Sequence, residues 1–166
     1  ENNLEDVKYY IYMNLGDVYD MLNKTDSAFS YFNKALILSS NLKNDDYTGN
    51  AMTGLGHTYF KQDNAPFSLM YYRTGIEHLK IANNDEVLCE AALGLAKLYR
   101  EKLHKNDSAV YYALYAQQIA ENAGFITWQL NAANFLASHY KTIKNTDSAF
   151  AYLNIVQVLN DSINSK

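Results

Sequence analysis

The sequence predicts an all-α solenoid: four helix-turn-helix repeats, about eight helices, stacked in one domain spanning residues 1–166. Three observations carry this expectation. One proline and seven glycines leave few strand or turn signals, while Ala, Leu, Lys and Glu fill windows of helical length. A short block, Leu-Gly-x-x-Tyr or its Leu-Ala variant, recurs at offsets of 40, 40 and 41 residues. A second block, Asp-Ser-Ala-x-x-Tyr, follows it in three of the four registers.

Each element follows in turn. In the first repeat, residues 4–43, Leu15-Gly16 and Tyr19 mark one helix, Asn23-Lys24-Thr25 a tight turn, and Asp26-Ser27-Ala28 with Tyr31 a second helix. The second repeat, 44–83, carries Leu55-Gly56 and Tyr59, the turn Gln62-Asp63-Asn64, and Pro66-Phe67-Ser68 in place of the acidic block before Tyr71. Pro66 suits an early helical position, where its missing amide hydrogen would have had no partner. In the third, 84–123, Leu95-Ala96 precedes Tyr99, and the turn His104-Lys105-Asn106 absorbs one extra residue before Asp107-Ser108-Ala109 and Tyr112. The fourth, 124–164, shows Leu136-Ala137, Tyr140, Lys144-Asn145-Thr146, Asp147-Ser148-Ala149 and Tyr152.

Side-chain size gives these blocks a physical purpose. Gly16, Gly56, Ala96 and Ala137 are expected where two helix backbones approach, with Ala28, Ser68, Ala109 and Ala149 as the small surface opposite. The leucines and tyrosines beside each small residue give every helix an apolar stripe that a neighbour must cover, so the hairpins are expected to stack. Thr25, Asn106 and Thr146 are expected to cap the second helices, and Asp26, Asp107 and Asp147 to favour their positive ends.

The same residues exclude several functions. A formal charge of -4 and a pI near 5.5 oppose general affinity for phosphate backbones, so nucleic acid is not an expected partner. No apolar run reaches the about 18 residues that a membrane helix requires, and direct membrane insertion is not expected. Cys89, alone in an apolar run, reads as a buried and inert thiol. His57, His78, His104 and His139 are widely separated and the glycines form no phosphate-cradling loop, so neither a metal nor another cofactor is expected. Ser27, Ser108 and Ser148 recur at one structural station, which argues for capping and packing over nucleophilic catalysis; the chain is not expected to be an enzyme. The 15 tyrosines fall mostly at repeated interface stations and are expected in the core. Opening at Glu1 without a methionine, the chain is expected to be a processed protein or a piece of a longer one.

A small residue, a tyrosine three positions on, then an alanine and an aromatic at fixed stations resemble the tetratricopeptide repeat, in its long-period bacterial form, over essentially the whole chain. Departures are Ala113 and Leu153 in place of the aromatic at Phe32 and Tyr72, and Gly75 and Val156 in place of the alanine at Ala35 and Ala116. The resemblance implies a right-handed α-α superhelix whose first helices line a concave groove for a protein or peptide partner. Its groove stations fall here on Tyr10, Met13, Asp17 and Asp20; Asn50, Thr53, His57 and Phe60; Glu90, Leu93, Lys97 and Arg100; and Asn131, Asn134, Ser138 and Lys141. Acids early and bases late in this set predict a bipolar groove that fixes a peptide's direction. Asn131 and Asn134 are expected to bond its backbone, and Met13, Phe60 and Leu93 to accept apolar side chains. The family's carboxylate clamp for chaperone tails is disfavoured, because Met13, Asp17, Glu90 and Gly94 occupy its stations. Blocks of this type look like those preceding kinase or helix-turn-helix output domains, which implies a sensory or regulatory module of a larger bacterial signalling protein. The alternative is a homo-oligomer stacked through its end repeats, because the last helix carries Phe150, Leu153, Ile155, Val156, Val158 and Leu159.

Overall fold

Eight helices follow one another in the computed structural model, which describes residues 2–165, with side chains from Leu4 onward. They are α1 (Asn2–Met21), α2 (Thr25–Leu42), α3 (Asp45–Lys61), α4 (Ala65–Ala82), α5 (Asp85–Glu101), α6 (Asn106–Ala123), α7 (Ile126–Thr142) and α8 (Thr146–Asn164). No strand occurs among the described residues, and each helix packs on the next in the chain. The odd-numbered helices also touch one another in series, whereas the even-numbered ones do not. Closer spacing on one side than on the other curves the stack, so α1, α3, α5 and α7 form its inner, concave layer.

One backbone device makes all four hairpin turns. A left-handed residue, Asn23, Asp63, His104 or Lys144, reverses the chain. The amide after it then donates to the carbonyl of the recurring tyrosine: Lys24 to Tyr19, Asn64 to Tyr59 and Asn145 to Tyr140, each at 2.9 Å. In the third hairpin Lys105 reaches Tyr99, also at 2.9 Å, across one more residue, so the turn absorbs the insertion. This geometry moves the caps. Thr25, Asn106 and Thr146 are already helical, and the capping position falls one residue earlier. Asn64 and Asn145 fill it, accepting from the Phe67 and Ser148 amides at 3.4 and 3.1 Å, while Lys24 and Lys105 supply no side-chain cap. Between hairpins, Lys43, Asn83 and Gly124 take the left-handed conformation, and Asn44 and Asn84 cap α3 and α5.

The recurring tyrosines form a ladder. Within each hairpin the first-block tyrosine stacks on the second-block one: Tyr19 on Tyr31, Tyr59 on Tyr71, Tyr99 on Tyr112 and Tyr140 on Tyr152, at centroid separations of 5.5, 5.4, 5.6 and 5.7 Å. Stacked pairs of this kind contribute about 0.5–1.5 kcal/mol each beyond their buried area.

The small residues serve differently from the expectation of backbone meeting backbone. Ser68 does reach the facing helix, donating to the Gly56 carbonyl at 2.9 Å. What the glycines chiefly admit, however, is a ring. Phe32 of α2 is wedged between Gly16 of α1 and Gly54 of α3, where a methyl group would lie 2.5 and 2.6 Å from it. Tyr72 of α4 is wedged likewise between Gly56 and Gly94, at 2.7 and 2.6 Å. In the next layer the arrangement is inverted. Ala113 replaces the wedged ring, and the station of Gly54 and Gly94 becomes Phe135, buried in one core cluster with Ala96 and Ala113. The ring enters from α7 instead of α6, which keeps the layer filled.

Candidate functional site

Eight of the sixteen groove stations line one concave cavity of about 510 Å³: His57, Glu90, Leu93, Lys97, Arg100, Asn131, Asn134 and Ser138. They project from α3, α5 and α7 because helical spacing keeps stations three or four apart on one face. Gly94, Trp128 and Phe135 complete the wall. Trp128, which the repeat stations omit, is the only tryptophan in the sequence and lies one helical turn before Asn131, the signal by which it could have been found.

The remaining stations divide. Asp17 borders the cavity residues His57 and Glu90, and burial, together with repulsion from Glu90, pushes its carboxyl up to about 6 against the opposing pull of His57. Lys141 is exposed, Asn50 and Phe60 are half-buried, and Lys102 lies over the Phe60 ring at 5.4 Å. Tyr10 packs edge-on against Tyr9 and Tyr47. Met13 and Thr53, expected on the open face, are buried in helix contacts instead. Thr53, 1% exposed, returns its hydroxyl to the Gly49 carbonyl at 2.9 Å and faces Gly75 of α4. Asp20 is not a free acid, since Lys61 donates to its carboxylate at 2.7 Å and to its carbonyl at 2.8 Å.

A hydrogen-bond chain crosses the acidic end. Tyr72 Oη lies 2.6 Å from His57 Nδ1, and His57 Nε2 lies 2.9 Å from Glu90 Oε1. Tyr72 and Glu90 thereby occupy both ring nitrogens of His57. Burial alone would raise Glu90, but the His57 hydrogen bond and the charges of His57 and Lys97 outweigh it and hold the carboxyl below its usual range. Tyr72, nearly fully buried, is held well above its ordinary value by burial and then by Glu90 and Asp20. The wedge that packs α4 between two glycines therefore also orients a charged groove residue.

The basic end is built on the later repeats. Arg100 lies over Phe135, its guanidinium carbon 4.2 Å from the ring centroid, and its Nη2 donates to Glu101 at 2.8 Å. Lys97 is exposed beside it on α5, and Asn131, Asn134 and Ser138 present uncharged donors and acceptors from α7. The surface thus runs from carboxylates at Asp17 and Glu90 to cations at Lys97, Arg100 and Lys141, with Leu93, Trp128 and Phe135 as its apolar floor. No described helix is long and apolar enough to cross a membrane.

Stacked helical hairpins with an open inner face define an α-solenoid. Residues 9–81, within the first two hairpins, match the family model described as tetratricopeptide repeat, which supports the tetratricopeptide repeat family for this chain. Repeats of this family mediate protein–protein interaction and are typically non-catalytic scaffolds. Among solved structures the chain is similar to the crystal structure of BtubC (BKLC) from P. vanneervenii, with a TM-score of 0.82 at 18% identity. The match covers 98% of this chain and 66% of that one, so the chain spans just under two thirds of the length of the solved protein, and the likeness is one of fold. No curated protein matches the sequence.

Proposed function

We propose that this chain is a non-catalytic scaffold whose concave face holds an extended or helical peptide, as the interaction or sensory module of a larger bacterial signalling or regulatory protein. The observation that supports it best is the convergence of eight groove stations on one cavity, with Glu90 beside His57, Asp17 bordering that pair, and Lys97 and Arg100 further along α5. A peptide with basic residues at one end, acidic residues at the other and apolar side chains between them complements this surface in one direction only. Selection of a random peptide display library against the chain tests this. Enriched sequences are expected to carry that polarity and to be lost when Lys97 and Arg100 are both reversed to glutamate. Equal enrichment on the reversed surface contradicts the reading.

A second reading, self-association through the end repeats, is favoured by one observation. On α8 only Ala149 is buried, leaving Phe150 and Val158 67% and 65% exposed, and α1 exposes Leu4, Ile11 and Met21 at the other end. Light scattering over a concentration series separates the two, because a species that stays monomeric removes the second.

A further inference from the structure

His139 breaks the pattern of its own station. The equivalent residues of the second and third repeats, Thr58 and Leu98, are buried and need nothing further: Thr58 bonds the Gly54 carbonyl at 3.0 Å and Leu98 is apolar. His139 is equally buried, at 1% exposure, yet neither ring nitrogen has a hydrogen-bond partner among the described residues. Phe135 stacks on the imidazole and Tyr140 meets it edge-on, and neither ring contact occupies a nitrogen. A buried polar group left in this state is destabilising, because it has given up its hydrogen bonds to water. The residue also lines a cleft of about 420 Å³ between α6 and α7 that shares no residue with the groove cavity. Val110, Leu114, Tyr140 and Ile143 make that cleft apolar, with Asn106 and Asp107 beside them at the start of α6.

We infer that the α6–α7 cleft is a second binding site, which takes a tyrosine side chain presented by a protein partner and pairs its hydroxyl with His139. An apolar cleft with a single orphaned imidazole calls for a group with an apolar body and one polar tip. A phenol hydroxyl can both donate and accept, so it can pair with either nitrogen, both of which stay closed to solvent until the partner side chain enters. The protein uses the same complement elsewhere, pairing Tyr72 Oη with His57 Nδ1 at 2.6 Å. Burial and the nearby Arg100 lower the His139 pKa, which keeps the imidazole in the neutral form that this pairing uses.

The test is a double-mutant cycle on the chain, with N-acetyl-tyrosine amide and N-acetyl-phenylalanine amide as probes. Imidazole 15N shifts of His139 provide the readout, assigned against His139→Leu, a side chain that the same station already accommodates as Leu98. The tyrosine probe is expected to move one His139 nitrogen and to bind about tenfold more tightly than the phenylalanine probe, a preference that His139→Leu removes. Val110→Trp, which fills the cleft from α6 without touching the groove, is expected to block both probes. Equal affinity of the two probes, or tyrosine binding that leaves His139 unmoved, overturns the inference. If His139→Leu fails to fold, Val110→Trp and the probe pair decide it alone.

Discussion

Gly56→Ala offers the sharpest test of how the layers are built. In an ordinary exposed helix interior, replacing glycine by alanine stabilises by about 1 kcal/mol, because alanine leaves the unfolded chain fewer conformations. Here the new methyl group would sit 2.7 Å from Tyr72 Cδ1 and 2.8 Å from Cε1. Those atoms belong to the body of a ring that is 1% exposed. The ring has no room to retreat: Gly94 closes on its far side, where a methyl group would lie 2.6 Å away, and His57 holds its hydroxyl at 2.6 Å. Overpacking of this kind costs about 1–3 kcal/mol, so the propensity gain is outweighed and a net loss of about 1 kcal/mol is expected. The same change in a Tyr72→Ala background, which reproduces the Ala96–Ala113 pairing of the third repeat, meets no ring and should recover the ordinary gain. Urea unfolding followed by circular dichroism measures all four proteins. A Gly56→Ala effect that is stabilising, or equal in the two backgrounds, refutes the wedge.

Further expectations follow from the site and the caps. Asp17, raised to about 6, favours its neutral form in the fold, so its contribution to stability is present at low pH and is lost as pH rises from about 4 to about 6. Asp17→Asn should therefore exceed the parent in stability at pH 7 and match it near pH 4 in urea titrations; a difference constant with pH contradicts this. Glu90→Gln removes a repulsion and should lower the Asp17 midpoint in a carboxyl-detected NMR titration, whereas an unmoved midpoint would leave burial and Asp20 as its causes. Asn145→Ala should destabilise by about 1 kcal/mol, and Thr146→Ala by only a few tenths, since Asn145 holds the Ser148 amide. Cys89, buried with its thiol pushed up to about 12 and its Sγ 3.6 Å from the Ala116 carbonyl, should resist thiol reagents at neutral pH until the chain unfolds. Labelling at the rate of a free thiol would place α5 in a loosely packed state.

Helix number and pairing were legible because each helix carries two or more spaced landmarks, such as Leu55-Gly56 with Tyr59, that period and composition read together. The caps were displaced by one residue for a specific reason. The left-handed turn positions are held by Asn23, Asp63, His104 and Lys144, not by glycine, so the usual signal of the reversal is missing. The wedge was partly written in the chain, since Gly54 and Gly94 accompany Phe32 and Tyr72, and Phe135 accompanies Ala113. Reading it required knowing which helix lies beyond the hairpin, which spacing within one helix does not reveal. In the groove, His57, Lys97 and Arg100 were legible as polar stations on a shared face. Met13 and Thr53 were not separable from them, because their station lies on the seam between open face and helix contact, where a turn of 100° per residue does not decide the side. The Tyr72–His57–Glu90 chain joins three helices and has no local signature at all.

The most direct test of the groove as a one-way peptide cradle uses a selected peptide carrying a nitroxide spin label at one end or the other. With the label at the acidic end, amide signals around Lys97, Arg100 and Lys141 should broaden. With it at the basic end, broadening should move to Asp17, His57 and Glu90. Identical broadening from both labels, or broadening centred on α2, α4 and α6, would show that the partner lies in both directions or on the outer face, and would contradict the account.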